Sequence, residues 1–198
     1  MSSDATKGNA RTRRLLSVAL PVALALVLPT VATWDSRSGE EQTQVQAGRW
    51  SEIKWPFLLD QWGVGRAFRC PAAQCGAELT LYVRPKIGFC NCATGVADDA
   101  EVDRVADIEL LSPRYAPLGD GRPITVGWMN GRSRAYAVEV ARAPRHTVAA
   151  LAFNDKCDVV VATLVADGTW PAGAEQAGLT FLNSSPMLRW AKAELNQQ

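Results

Sequence analysis

Histidine is almost missing from this chain: of 198 residues only His146 is one. Any mechanism that needs an imidazole must use that position, and Pro144 and Arg145 ahead of it place it in a turn. Ser133, Cys157 and Asp158 could be grouped with it as a triad, but nothing like a nucleophile elbow surrounds any of them. A surplus of either charge is missing as well, since the formal net charge is +1. Nucleic acid is therefore not the expected partner, because duplex affinity depends on many lysine and arginine contacts to phosphate. The basic residues that do cluster, Arg132, Arg134, Arg142 and Arg145, read as a solvated face or a protected edge strand. No CxxC pair, internal repeat or low-complexity tract occurs. No catalytic residue is expected, and the chain reads as a non-enzyme.

A long uncharged run is present. Positions 15–34, from Leu15 to Trp34, hold no charged residue and follow Arg11, Arg13 and Arg14. Twenty apolar residues cross a hydrocarbon layer about 30 Å thick as a helix, and the arginines hold their end on the cytoplasmic side. The run is longer than a signal-peptide core, and Trp34 stands where an interfacial aromatic stands, which favours a signal anchor. Thr30 and Ala32 also form a small-residue cleavage site after Pro29, which favours a removed signal peptide. Thr12, Arg13, Arg14, Leu15 and Leu16 imitate a twin-arginine signal. Every reading exports the rest of the chain, to an inner membrane facing the periplasm or to a soluble periplasmic or secreted state. Within the leader four basic residues oppose Asp4, so the net +1 divides into a +3 leader and a −2 remainder. Positions 35–48 are a polar, flexible linker, and 49–198 form one domain.

Five cysteines in an exported chain imply disulfides and one odd thiol. Cys70, Cys75, Cys90 and Cys92 lie close together, with Cys157 far downstream. A Cys90–Cys92 bridge would close a very small ring, so two bridges are expected from the Cys70 and Cys75 loop to the Cys90 and Cys92 end, leaving Cys157 free. The alternative is a soft-metal site, in which the same four thiolates converge on copper or zinc.

Leu79, Leu81 and Val83 alternate with Thr80, Tyr82 and Arg84, the period of a half-buried strand, with 67–70 as its hairpin partner. Asp98 or Asp99 caps a short helix, with Glu101 completing a capping box. Ile108 and Leu110 resume strand alternation, and 112–123 is a proline- and glycine-rich loop. Asn130–Gly131 is read as the tight turn between strands 124–129 and 134–140. A second hairpin joins 148–153 to 157–165. Helices are expected at 174–182 and from Ser185, a cap followed by Pro186. The expected class is α+β, a mainly antiparallel sheet with packed helices, preceded by one N-terminal apolar helix. In order of elements it resembles the α/β/α sandwich of the PsbP type, a likeness that covers no motif and implies no functional residue.

Asp98, Asp99, Glu101, Asp103, Asp107 and Glu109 form an acidic run, but Arg104 and Leu110 occupy the glycine and glutamate places of an EF-hand counted from Asp99. It reads as a capped, solvated helix start. Trp62-Gly63-Val64-Gly65 reads as a turn, and Asn183-Ser184-Ser185 matches a glycosylation sequon. The aromatic segment 50–59 supplies Trp50, Trp55 and Phe57 as anchors for a protein partner in the cell envelope. The sequence thus points to an exported, membrane-anchored accessory or binding domain with no cofactor, the alternative being a copper- or zinc-binding protein.

Overall fold

The computed structural model describes residues 49–139 and 146–196, all within one compact unit. The anchor, the linker, Val140, Arg142 and Arg145 lie outside the described residues. The strands are β1 (Ser51–Ile53), β2 (Arg66–Cys70), β3 (Leu79–Lys86), β4 (Tyr115–Pro117), β5 (Arg122–Val126), β6 (Met129–Val138), β7 (His146–Asp155) and β8 (Asp158–Ala166). They form one antiparallel sheet in the order β1-β2-β3-β8-β7-β6-β4, with β5 also paired to β6. The helices are α1 (Ala72–Cys75), α2 (Asp99–Val105), α3 (Ala174–Leu182) and α4 (Ser185–Leu195), with a 3-10 turn at Ile108–Leu110. The α+β class and the predominance of antiparallel pairing are as the alternation requires.

Both faces of the sheet are covered. On one, Leu81, Val83, Leu151 and Leu164 pack under Phe181, Leu182, Met187 and Leu195 from α3 and α4. On the other, Val148, Ala150, Val159 and Val161 pack against Val102, Val105 and Ile108. That double cover explains why β7 and β8 are apolar almost without interruption, whereas one-sided strands alternate.

The second face also carries charge. Cross-strand register places Arg84 beside Val161, Lys86 beside Val159, and Arg132 and Arg134 beside Ala152 and Ala150. Helix α2 lays its acids over this basic stripe. Asp99 accepts from Arg132 at 2.6 and 2.9 Å; Asp103 accepts from Arg134 at 2.7 Å and from the Tyr136 hydroxyl at 2.5 Å. Asp107, just past the helix, accepts two bonds of 2.7 Å from Arg84 and lies 2.8 Å from the Lys86 Nζ. The acidic run is therefore a docking strip, and Arg132 and Arg134 are its partners, in place of the two solvated faces expected.

Several boundaries also differ from expectation. The β5–β6 turn falls at Gly127–Trp128, where Gly127 supplies φ +59 at the first central position. Gly131 lies inside β6 because a Cβ there would strike the Ala152 and Phe153 backbone of β7. Asn130-Gly131 is thus a close approach and not a turn. Ile108–Leu110 is a 3-10 turn, as Asp107 must double back to reach Arg84. The 112–123 loop contains β4 and the start of β5, and the N-cap position of α4 is Ser184, one residue earlier than expected.

Removing Asp107 takes the paired carboxylate from buried Lys86 and leaves buried Arg84 only Asp60. Asp107→Ala is expected to cost about 3–5 kcal/mol in urea unfolding, while replacing Arg84, Lys86 and Asp107 together by apolar residues of similar volume costs less. A single-variant loss under about 1 kcal/mol would contradict the burial of this cluster.

Candidate functional site

The loop between β1 and β2 is built from the residues that bracket it. Trp55, Phe57 and Tyr82 meet edge to face at centroid distances of 4.8–6.0 Å. Trp55 also lies on the backbone of Gly65, where a Cβ would approach the indole to 2.6 Å. Glycine is required there for close approach, a demand the WGVG run does not reveal. Asp60 fixes the centre of the loop: it accepts from Arg84 Nη1 at 2.7 and 2.9 Å and from the Trp62 amide at 2.8 Å. Burial pushes the Asp60 carboxyl upward, but these hydrogen bonds outweigh it and hold the group below its usual range. Trp62 meets Phe89 at a tilt of 50° with centroids 4.4 Å apart, and the Lys86 ammonium lies over both rings.

A loop so fixed should bury its apolar residues, yet Leu58 is 89% exposed, Leu59 74% and Val64 64%. The partner-binding residues expected from the sequence are arranged otherwise. Trp50 is 8% exposed and stacks on Phe181, so it is a core residue and no surface anchor. Trp55 and Phe57 are half-buried braces. Sequence reasoning passed over the two leucines because consecutive leucines beside aromatics look like core. The signal was Pro56 before them and Asp60 after them, which keep them in irregular chain ahead of the Asp60–Gly63 turn.

The cysteines are joined as Cys70–Cys75 and Cys92–Cys157, and Cys90 is the free, buried thiol. The expected pairings across the strand pair, and a reduced Cys157, are overturned. Helix α1 ends on Gly76 at φ +78 and turns Cys75 back onto Cys70, while the β7–β8 turn, with Lys156 at φ +55, delivers Cys157 to Cys92. Cys90 is held nearby by its amide on the Cys157 carbonyl at 3.0 Å and its thiol on the Lys156 carbonyl at 3.2 Å. Burial, with Glu101 and Asp158 near, pushes that thiol up to about 11. With Cys70, Cys75 and Cys92 in bridges, the quartet offers one thiol and no four-thiolate site. Among the described residues no cluster of three or more His, Cys, Asp or Glu is grouped to hold a metal.

His146 opens β7 and Cys157 follows its far end, a separation of about 30 Å for a ten-residue strand. Cys157 is also oxidised, so the residues considered for a triad do not converge. His146 instead lines a mainly apolar recess of about 240 Å³ with Thr80, Val148, Val165 and Asp167. The sequon asparagine is engaged: Asn183 accepts from the Gly127 amide and donates to the Leu179 carbonyl. No family model and no curated protein matches the chain.

The thiol arrangement has a direct consequence. Peptide mapping is expected to find Cys70–Cys75 and Cys92–Cys157, with Cys90 alkylated at neutral pH only after unfolding. In the loop-entropy account the Cys92–Cys157 bridge contributes about 4 kcal/mol and Cys70–Cys75 about 2 kcal/mol, since their sequence separations are 65 and 5. The paired serine variants should therefore differ by that ratio in unfolding free energy.

Acid should act through carboxylates. Hydrogen bonds from Gly121 and Arg132 lower the Asp99 pKa, and those from Arg104 and Asn91 lower that of Glu101 against an opposing effect of burial. Depressed carboxylates stabilise the fold above their unfolded pKa of about 4 and lose that contribution as pH falls through the folded value. The melting temperature is expected to be level from about pH 5 to 7 and to drop below about pH 4. A maximum at acidic pH would contradict the docking strip.

Proposed function

We propose that this chain is an exported accessory domain, anchored to the inner membrane through positions 15–34, facing the periplasm, and acting by binding without catalysis. The observation that carries the reading is the placement of solvent-exposed apolar side chains at both edges of a domain whose interior charges satisfy one another. Leu58 and Leu59 stand beside β1, and Leu118, 50% exposed, follows β4 at the other edge. Exposed apolar residues on fixed backbone suit recognition, because little entropy remains to be lost when they are covered. The disulfides suit a compartment that keeps thiols oxidised. An envelope protein is the partner proposed for the β4 edge, where this three-residue strand ends the sheet and pairs only with β6.

Full-length tagged chain purified from membranes tests this. The chain is expected to sediment with inner membranes at its full 21.4 kDa and to retain a protein partner that Leu118→Asp releases. A soluble product beginning at Thr33 would defeat the anchor, and a partner held equally by the Leu118→Asp chain would remove the β4 edge.

A further inference from the structure

We propose that the Leu58–Leu59 tip inserts into the surface of the same bilayer that holds positions 15–34, so that lipid is the ligand of the β1–β2 loop; this rests on the anchor reading above. Chain length supports it first. Only the linker 35–48, Arg49, Trp50 and the three residues of β1 separate the end of the apolar run from the loop. A polar coil of fourteen residues has a root-mean-square span of about 20 Å, a length that lets the loop reach lipid. Binding is then intramolecular in character, and a weak contact suffices.

The loop's chemistry is interfacial. Its outermost residues are leucines, the layer behind them is Trp55, Phe57 and Trp62, and the exposed Lys54 flanks them, an order matching acyl chains, interface and headgroups. The acid in the loop does not oppose insertion, because Asp60 is neutralised by the Arg84 guanidinium at 2.7 Å. The edge-to-face aromatic stacks and the Asp60 bonds hold the tip outward without a lipid present, so no ordering cost attends insertion. Leu118 is comparably apolar but sits six strand spacings away, about 29 Å across the sheet, and serves as the internal control.

The test places a photo-reactive benzophenone amino acid at position 58, 59 or 118 of the full chain in native membranes, followed by irradiation and mass analysis. Lipid adducts at positions 58 and 59 are expected to exceed those at 118 by about tenfold. Two probe positions guard against one disturbing the loop, and an intact Cys92–Cys157 bridge, which needs the β7–β8 turn in place, reports folding in each. Equal lipid yields at all three positions in membrane-bound chain would overturn the inference and leave the anchor standing. Protein adducts at 58 and 59 in place of lipid would likewise overturn it and assign the loop to a partner. A chain recovered in the soluble fraction would overturn both.

Discussion

Asp107 joins three parts of the molecule through one carboxylate. Arg84 and Lys86 project from a central region of the sheet into the face covered by α2, beside the apolar side chains of β7 and β8, and Arg84 is only 2% exposed. Neither cation is tolerable there without a partner. Asp107 meets both, and Lys86 also donates to the Val105 carbonyl at 2.6 Å, which closes the end of α2. From the other side Asp60 completes Arg84, so the guanidinium fork is satisfied by a helix end and a surface loop at once. The position of α2, the backbone path of the 3-10 turn and the rigidity of the β1–β2 loop all follow from satisfying those two cations. Such a cluster contributes little net stability, but it permits one arrangement of its neighbours.

The sheet was legible in the sequence wherever alternation or a run of β-branched residues persisted. β3, β7, β8 and α3 follow local rules that tertiary contacts did not override. The acidic run was legible as a helix start, and Asp98 indeed accepts from the Glu101 amide at 2.8 Å. What a single window cannot reveal is that acids at 99, 103 and 107 are matched to basic residues on two strands, β6 and β3, because that complementarity exists only across the sheet. The same limit applies to Asn130-Gly131. A glycine that suits a turn also suits a strand pressed against its neighbour, and only the β6–β7 contact decides between them.

The candidate site was less legible than the fold. Trp50 drew notice as a partner anchor because it stands in the aromatic segment 50–59, but its ring is taken by Phe181 from near the end of the chain. The leucines were hidden by the opposite error, since residues that look like core stand in solvent. The cysteines failed for a reason of distance. Cys92 and Cys157 are 65 positions apart, and only the β7–β8 turn brings them together.

That separation orders events in a chain that emerges N-terminus first. Cys70 and Cys75 can join as soon as their short helix is out, because α1 and Gly76 form the ring locally. Cys92 must then wait for α2 and β4 through β7 to be delivered before its partner arrives, with Cys90 as a competitor two residues away. The competitor is removed by folding itself: when the β7–β8 turn seats the Cys90 amide on the Cys157 carbonyl, the unused thiol is withdrawn into the interior. Oxidation before that turn forms would trap the odd sulfur in the wrong pair, so correct maturation depends on a hairpin closing ahead of the oxidant.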